Sequence, residues 1–210
     1  MAETVADQRY WDDRYRESEH VWSGRPNAAL VREAADLPPG RALDLGAGEG
    51  GDAIWLAGRG WQVTAADIST VALERAAAHA RTEGVADRID FQRHTLGETF
   101  PAGTFDLVSA CYLHSEGNLP REQILRTAAA AVAPGGTLLV VGHAGFPHWQ
   151  GDHHPQVVLP TAREVLAALE LPDDAWEVQR CEEHDTPMNR PDGVPDTRPD
   201  CTVKARRLDA

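Results

Sequence analysis

Three side chains able to hold or move a proton, Tyr112, His114 and His143, follow two aliphatic runs at 105–111 and 137–141. An imidazole exchanges a proton near neutral pH, and a phenol hydroxyl can donate or accept a hydrogen bond. The trio therefore suits a site that orients a nucleophile or removes its proton, with His114 as the first candidate. Upstream, Gly46, Gly48 and Gly51 spell GxGxxG after a further aliphatic run. Glycine there lets the backbone come close to a ligand. Asp67 stands 21 residues beyond Gly46, where a carboxylate would accept hydrogen bonds from ribose hydroxyls. A nucleoside site beside a proton-handling site is expected.

Charge separates the nucleosides that such a loop could take. Asp44, Glu49 and Asp52 crowd the turn where a dinucleotide such as NAD places its doubly negative diphosphate. S-adenosylmethionine (SAM) has no phosphate, and its sulfonium and ammonium groups are cationic, so an acidic turn favours it. S-adenosylhomocysteine would be the product. An NAD-linked oxidoreductase and a SAM-binding protein without transferase activity are the alternatives.

Composition removes other classes. Lys204 is the sole lysine, which speaks against P-loop and Schiff-base chemistry. The net charge of −13 comes without a basic run, so no nucleic-acid partner is expected. Cys111, Cys181 and Cys201 are odd in number and form no CxxC, which fits a reducing compartment without disulfides. No apolar run is long enough for a membrane span, and a cytoplasmic location, as monomer or homodimer, is expected. His143, His148, His153 and His154 match no standard zinc spacing, so the segment after His143 is expected to cover substrate rather than bind metal. Tyr10, Trp11, Tyr15 and Trp22, with Arg25, would form an aromatic lid over the cofactor, aromatic faces being attractive to a sulfonium.

Alternating β-branched and Ala-rich segments must position these groups, the pattern of an α/β fold with a parallel sheet. Helices are expected at 5–17, after Pro26, and at 51–58, 70–83, 120–133 and 161–169. Strands are expected at 41–45, 62–66, 89–93, 105–111, 137–141, 176–181 and 201–206. The last two would pair as a hairpin. The segment 186–199, with four prolines, reads as a surface loop between them.

Leu43-Asp44-Leu45-Gly46-Ala47-Gly48-Glu49-Gly50 resembles the first motif of class I SAM-dependent methyltransferases, and Val63 to Ser69 resembles their second strand with its ribose-binding acid. Phe105 to Ser109 and Ala133 to Leu138 resemble the fourth strand and the turn before the fifth. Trp55-Leu56-Ala57 through Trp61-Gln62-Val63 is similar to the small-molecule branch containing the tellurite-resistance and thiopurine enzymes. The resemblance implies a Rossmann-like, mostly parallel seven-stranded sheet with helices on both faces and an antiparallel C-terminal hairpin. It implies one methyltransferase domain over 1–210, with a helical cap (1–37), a SAM-binding core (40–143) and a substrate loop with the hairpin (144–210). Cofactor contacts would come from Asp44, Gly46, Ala47, Gly48, Glu49, Asp67, Ile68, Thr95, Leu96, Ala110, Cys111, Trp22 and Arg25. Thr95 stands where relatives often place an adenine-binding acid, which leaves backbone contacts or its hydroxyl for that task. The expected reaction is methyl transfer to O, N or S of a small metabolite, with His114, Tyr112 and His143 at the acceptor.

Overall fold

A computed structural model describes residues 8–18, 21–115, 119–147, 149 and 159–209. Seven strands form one sheet in the order β3-β2-β1-β4-β5-β7-β6. They are β1 (Arg41–Leu45), β2 (Gln62–Asp67), β3 (Ile89–Arg93), β4 (Phe105–Cys111), β5 (Val132–His143), β6 (Trp176–Asn189) and β7 (Pro195–Arg207). The first five pair in parallel, and β7 enters antiparallel between β5 and β6. The chain order reverses at β1–β4, the place where open α/β sheets form ligand crevices beyond their strand ends.

Strand side chains alternate between the two faces and build a core on each. Leu43, Leu45, Val108, Leu138 and Val140 face α5 (Arg121–Ala130) and α6 (Ala162–Leu169), packing on Ile124, Leu125 and Val165. Their neighbours Ala42, Leu107, Leu139 and Val141 face the other way. There they meet Leu30 of α2 (Ala28–Ala34), Leu56 of α3 (Gly51–Gly58) and Ala80 of α4 (Thr70–Thr82). Ser69 caps α4 by accepting the Ala72 N–H. The lone lysine serves the fold: Lys204 Nζ donates to the Glu33 carbonyl at 2.9 Å and fastens α2 to β7.

Three expectations need correction. The helix expected to run to residue 133 ends at Ala130, and β5 begins at Val132. Pro134-Gly135-Gly136 is absorbed as an irregularity in which Phe105 pairs with Val132 and Leu107 with Thr137. Gly135, at φ +75°, supplies the left-handed backbone needed there. Thirdly, the proline-rich segment at 186–199 is mostly strand: β6 continues to Asn189 and β7 starts at Pro195, around a short turn. The prolines are accommodated because β6 lies at the sheet edge, while β5 stops pairing with β7 at Asp200. Pro187, Pro195 and Pro199 thus sit where the ladder has one partner at most. Among the described residues, no helix is long and apolar enough to cross a membrane.

Candidate functional site

A cavity of about 2200 Å³ opens across the C-terminal ends of β1, β2, β4 and β5. Clefts for one small ligand hold roughly 300–1,000 Å³, so there is room for a cofactor and an acceptor together. Asp44, Gly46, Ala47, Gly48, Glu49, Asp67, Ile68, Thr95 and Leu96 line one end. Tyr112, His114 and His143 line the other, with Cys111 at the junction. Trp22 and Arg25 border the first end and are exposed. Ala110 does not line the cavity: it is fully buried in the core with Leu43 and Val140, because inward and outward residues alternate along β4.

The glycine loop spends its own donors. Gly46 and Ala47 N–H both donate to the Ala66 carbonyl, at 2.8 and 3.0 Å, and Gly48 N–H donates to Asp67 Oδ2 at 2.8 Å. These amides therefore do not cradle a phosphate. The three acids of the turn also divide. Glu49 accepts from the N–H groups of Val21 and Trp22 and pairs with Arg75 at 3.0 Å, so it pins the N-terminal segment onto the loop. Asp52 accepts from the backbone and side chain of Asn27, at 2.6 and 2.8 Å.

Of the three, Asp44 alone has an oxygen without a hydrogen-bond partner among the described residues. Its Oδ1 takes a 3.3 Å hydrogen bond from Ser109 Oγ, while Oδ2 is buried without a partner among the described residues. Burial first, then the nearby Asp52, raises the Asp44 carboxyl well above the usual range. A cation at Oδ2 would relieve both. Burial likewise raises Asp67, whose oxygens accept from Gly48 and Ser69 N–H. Asp44 and Asp67 thus fit the ammonium and ribose ends of SAM better than a diphosphate.

The N-terminal helix α1 (Gln8–Arg16) closes this end. Asp12 accepts from Ser69 Oγ at 2.7 Å and Val71 N–H at 3.2 Å, docking α1 on the start of α4. Tyr15 is buried, and its hydroxyl accepts from Trp22 Nε1 at 2.8 Å. A methyl group added at Gly48 would lie 3.0 Å from that hydroxyl, so the glycine lets the cap close onto the loop. Sequence reasoning had grouped these aromatics but had no signal for Asp12, whose partner lies 57 residues away.

At the acceptor end, Tyr112 adopts φ +54°, rare for a bulky residue, immediately after β4. The turn sends its hydroxyl to Asp200 Oδ2 at 2.8 Å. Asp200 is fully buried and also accepts from His143 Nδ1 at 2.9 Å and from Arg198 Nε and Nη2 at 2.9 and 3.2 Å. Burial opposes its charge, but these donors outweigh burial and hold the carboxyl well below the usual range.

His114, the first candidate for the base, is engaged by the backbone. His114 Nε2 accepts the His143 backbone N–H at 3.2 Å, so the hydrogen of the neutral ring sits on Nδ1. Burial, followed by His143 and Arg121, pushes the His114 imidazole down to about 4. The His114 ring is stacked on that of His143 with ring centroids 5.0 Å apart. His143, the last residue of β5 rather than part of the loop after it, has its Nδ1 hydrogen directed at Asp200, and its Nε2 has no hydrogen-bond partner among the described residues. Asp200 and Arg198 were missed because the strand carrying them was read as loop. His148, Asp152, His153, His154 and most of the expected substrate loop lie outside the described residues.

Comparison with known proteins agrees with this geometry. Residues 42–136 match the sequence model of a methyltransferase domain family. A rice (Oryza sativa subsp. japonica) protein named "Probable tocopherol O-methyltransferase, chloroplastic" is 34% identical over 116 residues, 54% of this chain and 32% of its own length. The ribosomal RNA small subunit methyltransferase C of Chromohalobacter salexigens is 33% identical over 118 residues, 53% of this chain and 34% of its own length. This chain therefore spans about a third of the length of each. TehB from Haemophilus influenzae shares the fold, with a TM-score of 0.69, 16% identity and coverage of 93% of this chain and 66% of that one.

Proposed function

Because residues 42–136 match a methyltransferase domain family, we propose that this chain is a class I SAM-dependent methyltransferase that transfers the methyl group of SAM to an O, N or S atom of a small metabolite, with His143 as the base. The Asp44 Oδ2, unpartnered among the described residues, beside a loop whose Gly46, Ala47 and Gly48 amides are already engaged, carries the cofactor assignment. Asp44 would hold the ammonium group and Asp67 the ribose hydroxyls, with Thr95 and Leu96 toward the adenine. When bound, SAM supplies an electrophilic methyl on sulfur, which leaves as S-adenosylhomocysteine once the methyl has moved.

The chain's own part is alignment and proton removal. Asp200 keeps the hydrogen of His143 on Nδ1, so the Nε2 lone pair is available to the proton of an acceptor hydroxyl, amine or thiol. The proton taken up would sit on Nε2, and the buried Asp200 anion would stabilise the imidazolium, the orienting role of the carboxylate in a His–Asp pair. Tyr112 and Arg198 hold Asp200 in place. A small acceptor is supported by the net charge of −13 and by the lack of a basic run. It is supported further by a cavity with space for two small ligands.

Calorimetric titration with SAM, S-adenosylhomocysteine and NAD tests the cofactor. Tight NAD binding without a response to either SAM compound would sink the proposal. Screening metabolites for S-adenosylhomocysteine release identifies the acceptor. Labelling of bulk tRNA or rRNA from SAM in preference to every metabolite would replace the small-molecule reading.

A further inference from the structure

Proton removal at His143 makes no use of Arg121, a cation at the same end of the cavity. Arg121, the first residue of α5, lines the acceptor end. Its Nε donates to the Leu113 carbonyl at 3.2 Å, and no carboxylate pairs with it among the described residues. Burial holds the guanidinium below its usual range, although Cys201 and the exposed Glu122 beside it favour its charge. Its place is fixed by Gly142, one residue before His143. A Cβ built there would lie 3.3 Å from Arg121 Nη2 and 3.4 Å from His114 Nε2. The guanidinium and the His114 ring therefore both abut the backbone of β5, and His114 in turn stacks on His143.

Nearby charges do not answer Arg121. Asp200 is engaged by both donors of Arg198, by Tyr112 and by His143. Asp185 borders the cavity from the exposed face of β6. His114 is neutral. In a chain of net charge −13, the acceptor end thus carries a guanidinium that has only the exposed Glu122 nearby and no ion pair among the described residues, while the cofactor end carries a carboxylate oxygen at Asp44 without a partner among them. A buried cation is costly unless something pairs with it, and the planar guanidinium matches a carboxylate through two parallel hydrogen bonds. Leu119, Phe146, Leu159 and Met188 supply an apolar wall to the same space.

We propose that the acceptor is a small organic acid with an apolar body, whose carboxylate is held by Arg121 near His143. Calling this ligand the acceptor rests on the methyl-transfer reading, whereas the carboxylate site itself does not.

The test compares 1-naphthoate with the neutral 1-naphthamide by calorimetry on the full chain, with and without saturating S-adenosylhomocysteine. Naphthoate is expected to bind at least about tenfold more tightly than the amide, the lower end for a charge-assisted pair. Arg121→Gln should abolish that preference and Arg121→Lys should retain part of it, circular dichroism confirming that each variant is folded. In the wild-type protein, the Arg121 Nε–H resonance should move with naphthoate and stay still with naphthamide, which reads the site without any variant. Equal binding of acid and amide, no saturable naphthoate binding at millimolar concentration, a still resonance, or an acid preference that survives in Arg121→Gln would each overturn the proposal. Titrating SAM into the same samples separates the two readings: acid preference without SAM binding defeats the methyl-transfer reading alone, and SAM binding without acid preference defeats this one.

Discussion

Replacing Asp44 by Asn changes little in shape but removes a buried charge that the fold holds at some cost. In the unliganded protein, burial and Asp52 favour the protonated form of Asp44. Between the ordinary carboxylate value of 3.8 and the raised one, the folded chain keeps a proton that the unfolded chain has lost. Stability therefore falls as pH rises through that window, and Asp44→Asn should remove the fall and raise the melting temperature above it. SAM binding should respond in the opposite sense. Breaking a buried ion pair by removing one partner costs about 3–5 kcal/mol. At a pH inside that window the wild-type protein must first shed the Asp44 proton to bind a cation, which brings the expected loss to the low end, about 3 kcal/mol or a roughly hundredfold rise in Kd. At such a pH, calorimetry in two buffers of unequal ionisation enthalpy should show proton release on SAM binding to wild type and much less with Asp44→Asn. The reasoning fails if the variant binds SAM as tightly as wild type, if the wild-type heat is independent of buffer, or if the unliganded variant melts lower.

The remaining predictions are shorter. His143→Gln should lower kcat by about 10²–10⁴, the usual contribution of a positioned base, and leave SAM affinity nearly unchanged; His114→Gln, measured in parallel, should retain most of the turnover. Asp200→Asn should lower kcat by about a hundredfold or more and disturb the pH–rate profile, because it removes the acceptor that keeps the His143 hydrogen on Nδ1. An unaltered profile would reject that role. Gly48→Ala and Gly84→Ala both place a side chain at positive φ, +51° and +71°, which costs about 1–2 kcal/mol. Only the first meets Tyr15 and Trp22, so Gly48→Ala should melt lower than Gly84→Ala and bind SAM more weakly, whereas equal effects would mean that the cap does not bear on the loop.

Where local punctuation is strong, the elements were readable to the residue. The strands Arg41–Leu45, Ile89–Arg93 and Phe105–Cys111 and the helix Gly51–Gly58 stand where glycine, proline and the aliphatic runs place them. Asp44 and Asp67, near the ends of β1 and β2, line the cavity as their places in the strands suggest, but the work of Glu49 and Asp52 was not readable. Their partners, Val21, Trp22, Arg75 and Asn27, come from other segments, and only folding shows that those charges are already engaged. The choice between His114 and His143 turns on which ring nitrogen is free. That is set by a backbone amide 29 residues from one and a carboxylate 57 residues from the other, and no spacing rule carries it. Asp200 was hidden because the prolines around it outweigh its strand context.

Those same prolines bear on how the molecule meets its own copies. β6 is a 14-residue strand at the open edge of the sheet, a length that ordinarily invites another chain to add on. Pro187 has no N–H to offer such a visitor, and Glu177, Arg180, Glu182, Glu183 and Asp185 set charges along the border. A second copy laying its β6 alongside in antiparallel fashion would forfeit ladder hydrogen bonds at the proline and bring mostly acidic side chains together. The hairpin that carries Asp200 and Arg198 to His143 can therefore extend well past β5 without making the sheet edge adhesive.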